Sequence, residues 1–314
     1  YLGPTPLRRG LELSRNAMTA RVAYEMGPDR VLQFAQRLGI YGQNVTPVFA
    51  LALGSQETTL MRMTTAYGMM VNGGRWIQPI IIDRIQDRTG HSVFRRDQRE
   101  CPGCNDAWHG QQPPTLPDAR RQVVDPITAY QIVSMTEGVV QRGTASAAVG
   151  VLGIPLGGKT GTTSDYKDSW FIGYSPDLVV GVWSGFDQPR NMGEGETGAR
   201  ISAPIFASFM RQALANTNPT PFRIPAGVRL VRIDRLTGQL PGPASTDTIL
   251  EAFKPGTEPT SGGGSSPFVF GGTDPIDPRA LSGLQSTFGS TGAAPPGQQP
   301  PPDQQKQDDL GGLY

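Results

Sequence analysis

Three short stretches hold residues that could do chemistry. "LELSRNAMTA" carries Ser14 and Asn16, two positions apart. "GGKTGTT" carries Lys159, Thr160, Gly161 and Thr162. Directly behind it, "SDYK" sets Ser164 and Lys167 at S-x-x-K spacing. On a strand, Lys159 would point a cation into a groove, and Thr160 and Thr162 would offer hydroxyls to a carboxylate. Gly157 and Gly158 leave the strand face open, and Gly161 lets another backbone approach closely. A strand edge with free N–H and C=O groups can take an extended peptide as an added strand. The segment therefore suits a peptide that ends in a carboxylate. Taken singly each motif is weak. K-T-G also describes a plain amphipathic strand, and Ser14 and Asn16 are favoured helix caps.

S-x-x-K is the pattern of a nucleophile and its base. That chemistry needs both residues on one helical face, so that the amine can accept the hydroxyl proton. Here Ser164 and Lys167 fall between two expected strands, and Asp165 and Asp168 would hold Lys167 as a cation. The stretch reads as a solvated turn. Lysine is scarce, at positions 159, 167, 254 and 306 only, so Lys159 is the cation to follow.

Apolar spacing sets out the elements that must position these residues. Leu7, Leu11 and Leu13 after Pro6 mark a helix, with Thr5 as its cap. Met18, Val22 and Met26 mark a second that closes on Gly27, and a third starts at Pro28 and ends at Gly39. Over residues 55–73, Leu60, Met63, Tyr67, Met70 and Val71 share one face, Ser55 caps the start and Gly73-Gly74 end it. This methionine-rich stripe reads as core. A hairpin turns around 87–90 and a cysteine-bearing loop follows. Asp125 caps a helix with Pro126 at its first position. "IPLGGKTGTT", "SWFIGYS" and "LVVGVWSGF" then read as strands, the last two joined at Pro176-Asp177. "APIFASFMRQALA" closes the pattern with Ile205, Phe206, Phe209, Met210 and Leu214 on its apolar side. The sum is an α+β fold: an antiparallel sheet with helices on both faces. "GVRLVRIDRLTGQLP" adds a hairpin turning at 236–238. From about 255 Pro, Gly, Ser and Gln dominate, the composition of a disordered tail, in which Phe268, Val269 and Phe270 are isolated apolar residues.

The net charge of +1 gives no basic field for nucleic acid and no acidic store for cations. No apolar run reaches the ~18 residues of a membrane span, and the first residues lack a signal-peptide pattern. Cys101 and Cys104 lie in "ECPGCNDAWHG". With only His91 and His109 as further soft ligands, the pair reads first as a local disulfide, with free thiols and a metal site as the alternatives.

S-x-N followed by K-T-G on a strand matches two of three signatures of penicillin-binding proteins and serine β-lactamases. The chain resembles the transpeptidase domain of a class A penicillin-binding protein, of the 1A type. The segments "TPLRRGLELSRNAMTARVA", "LALGSQETTLMRMTTAYGMMVNGG", "VVQRGTA", "GGKTGTTSDYKDSWFIGYSP" and "VVGVWSGFD" resemble the family in its order. The likeness covers roughly residues 4–215. It implies a penicillin-binding/serine β-lactamase-like fold. It also implies three regions: residues 1–218 as the C-terminal part of the transpeptidase domain, with an insertion at 80–124; a small β extension at 219–254; and the tail at 255–314.

The family's third signature, S-x-x-K, precedes S-x-N by some tens of residues, whereas thirteen residues precede Ser14. The resemblance therefore implies a domain incomplete at its N-terminus. The nucleophile, a glycosyltransferase domain and a membrane anchor are expected outside this chain, and the fragment alone is expected to be inactive. The implied activity is D,D-transpeptidation through a serine acyl-enzyme. Ser14, Asn16 and Lys159 would be catalytic, and Thr160, Gly161 and Thr162 would bind substrate. The implied partners are peptidoglycan stem peptides and glycan strands, β-lactams, and other cell-wall synthesis proteins, on the periplasmic side of a bacterial inner membrane. No metal or organic cofactor is implied. The alternatives are a D,D-carboxypeptidase or β-lactamase-like hydrolase, and a non-catalytic β-lactam sensor or scaffold.

Overall fold

Asp125 and Pro126 start the longest helix for a local reason. The Asp125 carboxylate accepts the Thr128 N–H at 2.9 Å, and proline at the first position has no N–H to leave orphaned. In this computed structural model, which describes residues 3–260, that helix is the fifth of six. The helices are α1 (Leu7–Glu12), α2 (Asn16–Met26), α3 (Pro28–Arg37), α4 (Leu60–Val71), α5 (Pro126–Gln141) and α6 (Ser202–Ala213). The strands are β1 (Arg84–Gln86), β2 (Ser92–Arg95), β3 (Gly157–Thr162), β4 (Asp168–Tyr174), β5 (Val179–Gly185), β6 (Arg229–Asp234) and β7 (Thr248–Phe253). All described residues belong to one unit, Tyr1–Ile276.

The central sheet is antiparallel, in the order β3-β4-β5. Its register pairs Lys159 with Ile172 and Ile172 with Gly181, and pairs Thr160 with Phe171 and Phe171 with Val182. Strand alternation then sends the two sets to opposite faces. On one face the buried Tyr174 bonds Thr136 of α5 through its hydroxyl and packs on Tyr67 of α4. A Cβ at Gly181 would strike Thr64 of α4 at 2.1 Å. On the other face Phe171 stacks on Phe206 of α6, ring centres 4.9 Å apart. Phe171, Phe206, Met210, Val139, Val149 and Leu156 form the main core, each 2% exposed or less. Helices thus cover both faces.

Several sequence expectations shift. Thr5 does not cap α1; its hydroxyl bonds the Gly3 carbonyl instead. Helix α4 begins at Leu60 rather than near 55, because Thr59 accepts the Arg62 N–H and Ser55 lies before the helix. Its buried residues are Ala66, Gly68 and Met69; Tyr67, Met70 and Val71 pack against the core as expected, while Leu60 at the helix start is 37% exposed. On α6, Phe206 and Met210 are buried as expected, while Ile205 and Phe209 face solvent. The turn after β6 forms, with Asp234 accepting the N–H groups of Leu236 and Thr237. The strand that pairs with β6 is nevertheless β7, beyond residues 235–247.

Residues 75–122 form an excursion pinned at its base by an Arg75–Gln122 bridge. It holds the β1–β2 hairpin and a loop in which Cys101 and Cys104 are joined by a disulfide, Cα atoms 5.5 Å apart. Residues 255–260 turn back, with Thr257 N–H on the Lys254 carbonyl at 3.0 Å and Glu258 near Arg229. The remainder of the composition-defined tail, including Phe268, Val269 and Phe270, lies outside the described residues.

Candidate active site

Ser14 sits where helix α1 stops. The Arg15 N–H bonds the Gly10 carbonyl at 2.8 Å and the Ser14 N–H bonds the Leu11 carbonyl at 3.1 Å. These two bonds make a Schellman motif, whose left-handed position is usually glycine. Ser14 occupies that position with φ +52°. The capping alternative for Ser14 and Asn16 fails: the residue before α2 is Arg15 and no side chain caps the helix. Asn16 is the exposed first residue of α2.

The strained turn carries the Ser14 hydroxyl to the edge of β3. There it accepts a hydrogen bond from Lys159 Nζ at 2.7 Å, across 145 positions of sequence. The ammonium also donates to the Thr160 carbonyl at 2.9 Å. Burial pushes the Lys159 pKa down to about 8, since an ammonium loses its water more dearly than an amine does.

Alternation places Thr160 and Thr162 on the opposite face of β3 from Lys159. The Thr160 hydroxyl lies 2.9 Å from that of Thr144. The Thr162 hydroxyl accepts the Gly198 N–H at 3.0 Å, which leaves its own proton free to donate to an exposed partner. Gly198 lies flat on the sheet: an added Cβ would meet the Trp170 and Gly161 carbonyl oxygens at 2.4 and 2.6 Å. Thr163 N–H points inward to the Asp168 carbonyl at 3.1 Å. By the alternation of an antiparallel ladder, Thr162 N–H then faces the free edge.

Ser164 lies in an exposed turn at 164–166, where Asp165 and Tyr166 have φ of +61° and +51°. Lys167 is 3.7 Å from Asp165. Ser164 and Lys167 share no helical face. Thr144 and Gly198 received no role from sequence. Thr144 lies within the family-like "VVQRGTA"; nothing in the spacing marked Gly198. Among the described residues no cluster of His, Cys, Asp or Glu is placed to hold a metal.

Residues 1–211 match the sequence model of the penicillin-binding protein transpeptidase domain. This chain belongs to that family. Residues 224–261 match the penicillin-binding protein 1A C-terminal domain, which here is the β6–β7 unit. Penicillin-binding protein 1A of Rickettsia bellii is 44% identical over 81% of this chain and 32% of its own length. The crystal structure of penicillin-binding protein 1A from Haemophilus influenzae has a TM-score of 0.69 at 31% identity, over 82% of this chain and 41% of that one. PonA1 from Mycobacterium tuberculosis in complex with penicillin V shares the fold at 21% identity, with a TM-score of 0.56 over 70% of this chain and 59% of that one. The chain thus spans about a third of the curated relatives it matches. Among the described residues no helix of this penicillin-binding protein domain is long and apolar enough to cross a membrane.

Proposed function

We propose that these residues form the proton-relay and carboxylate-binding side of a D,D-transpeptidase. The nucleophilic serine would be contributed by a part of the protein outside these 314 residues. The carrying observation is the 2.7 Å contact between Lys159 and Ser14, which joins S-x-N to K-T-G at a free strand edge. The nucleophile attacks the penultimate D-Ala carbonyl of a stem peptide. The bond to the terminal D-Ala breaks, Ser14 passes a proton to the departing amine, and an acyl-enzyme remains. An amine of a second stem peptide then attacks the acyl carbon, forms the cross-link and returns the serine hydroxyl.

Lys159 supplies positive potential and orients Ser14. Asn16 holds the donor peptide's amide. The hydroxyls of Thr160 and Thr162 bind the terminal carboxylate, and the peptide lies along β3 beside Gly161. Thr162 N–H gives half of an oxyanion hole; a lost donor of this kind costs on the order of 10²–10³ in rate. β-Lactams acylate the same serine as mimics of the donor. The whole protein acts on the periplasmic side of a bacterial inner membrane, with a glycosyltransferase domain and an anchor outside this chain. The match of 224–261 to the 1A C-terminal domain supports a synthase over a stand-alone hydrolase.

The test uses the complete protein, a fluorescent penicillin, and a D-Ala-D-Ala stem peptide with an acceptor amine. The expected result is a covalent adduct and a cross-linked product, both lost in Lys159→Ala. Cross-linking that survives Lys159→Ala sinks the assigned role of Lys159, an unsubstituted protein that gives neither adduct nor product favours the scaffold, and release of free acid alone favours the hydrolase. The 314-residue chain by itself is expected to remain unlabelled; label on it would return Ser164 as a nucleophile.

A further inference from the structure

Helix α1 is amphipathic in an inverted sense. Leu7 is 51% exposed, while Arg8 and Glu12 are 5% and 1% exposed. Buried charges persist only when paired and hydrogen-bonded. Glu12 meets three arginines. Its Oε1 accepts from Arg142 at 2.8 Å and lies 3.7 Å from Arg8, and its Oε2 lies 3.6 Å from Arg235. Arg8 also bonds Ser134 of α5 and makes a two-pronged pair with Glu251. Arg235 in turn bonds Asp247 at 2.5 Å. Arg235, Asp247 and Glu251 all come from the β6–β7 unit.

The Oε2 of Glu12 thus faces Arg235 as an ion pair without a hydrogen bond, and the Glu12 backbone supplies a second hold. Its carbonyl accepts the Thr144 N–H at 3.1 Å, and the Thr144 hydroxyl reaches Thr160. Two glycines clear the space: a Cβ at Gly138 would strike the Glu12 carboxylate at 2.0 Å, and one at Gly143 its carbonyl oxygen at 2.4 Å. Glu12 is the last residue of α1, two positions before the strained Ser14. It is therefore fixed on one side to the strand that carries Lys159 and on the other to the C-terminal unit.

We infer that Glu12 is a positioning residue for the Ser14 turn, and that the β6–β7 unit acts on the active site through Arg235 and Glu12. The inference rests on the transpeptidase reading above. The left-handed conformation at Ser14 must be imposed by its surroundings. Glu12 supplies the anchor, and the extension sets that anchor through a buried charge. Neither Glu12 nor Arg235 touches substrate; both act through Ser14.

The test measures β-lactam acylation of the complete protein by stopped flow, resolving the binding constant from the acylation step. Glu12→Gln keeps the shape and removes the charge. It is expected to slow the acylation step about 10²-fold, the scale of a small misplacement of a reacting group, with binding nearly unchanged. Arg235→Gln is expected to slow the same step roughly tenfold, and the double variant to fall short of the product of the two effects, because coupled residues are non-additive. Arg235→Lys keeps the charge on a different geometry and should recover part of the rate. Amide exchange across residues 12–18 should rise in Arg235→Gln, a readout that needs no nucleophile. Variants that acylate at the parent rate, or independent effects that multiply, overturn the inference. A Glu12→Gln that does not fold leaves Arg235→Gln to decide by the same two readouts. An unsubstituted protein that never forms an adduct overturns the transpeptidase reading itself; unchanged exchange at 12–18 in Arg235→Gln then overturns the coupling as well.

Discussion

Lys159 is a partly buried cation whose hydrogen bonds go to a hydroxyl and a carbonyl, not to a carboxylate. Burial lowers its pKa from 10.5 to about 8. The unfolded chain therefore holds a proton between pH 8 and pH 10.5 that the folded chain has released. A depressed folded-state pKa gives stability that is fully present above the unfolded value and lost as pH falls through the folded one. The shift corresponds to about 3 kcal/mol over that window, at 1.36 kcal/mol per pKa unit. Other groups titrate there too, so the observable is the difference between the parent and Lys159→Met. Urea midpoints at several pH values from 7 to 10.5 supply it, with m held constant. The expected outcome is a parent that gains about 3 kcal/mol on the variant across the window, while the variant never acylates in the complete protein. A difference that stays flat from pH 7 to pH 10.5 would refute the reasoning, because Lys159 would then titrate as a solvated lysine.

Two further substitutions read the backbone of the site. At Ser14, Gly should be more stable than Ala by about 1 kcal/mol, the reverse of their helical order, because only glycine takes a left-handed φ without strain; chemical denaturation of the two variants compares them directly. Gly198→Ala should cost about 1–3 kcal/mol as an overpacked site and weaken the binding of carboxylate-bearing β-lactams, since the new methyl meets backbone oxygens and lifts the Gly198 N–H from Thr162. Unchanged binding in Gly198→Ala would separate the Thr162 hydroxyl from carboxylate recognition.

Much of the fold was legible because local chemistry and burial agree. Asp125-Pro126, Gly27 and Gly39 mark helix ends by capping and by positive φ, and the three central strands alternate around a Pro-Asp turn. Legibility failed where burial contradicts polarity. In α1 the residues that turn inward are Arg8 and Glu12, so the leucine spacing pointed to the wrong face. In α6, Ile205 and Phe209 remain outside because the narrow stripe Ser202, Ala203, Phe206, Ala207 and Met210 already fills the sheet's face. The partner of β6 was misplaced because a well-formed turn at 234–238 does not oblige the next residues to pair. At the candidate site, S-x-N and K-T-G named the residues that meet, but not how. Serine hides the left-handed position that glycine would have advertised. Thr144 and Gly198 act through contacts distant in sequence, which spacing cannot carry.

The alternation of β3 gives the order K-T-G-T a geometric reason. Odd positions 159 and 161 face the side where α1 ends, and even positions 160 and 162 face Thr144 and Gly198. A single strand thus serves two sides: Lys159 meets the Ser14 hydroxyl on one face, and the threonine hydroxyls gather on the other. The even residues also turn their backbone groups to the free edge, which places the Thr162 N–H beside its own hydroxyl's neighbourhood and gives Lys159 the Thr160 carbonyl as a second acceptor. Position 161 must then be small, because a Cβ there would press on Trp170 at 3.1 Å from one side while Gly198 covers the backbone from the other. A one-residue slip of the register would exchange the two faces. It would send the lysine toward Thr144 and leave Ser14 without its donor. The spacing is therefore a consequence of serving two faces of one edge strand, and Ser164–Lys167, on a turn with no such edge, inherits none of it.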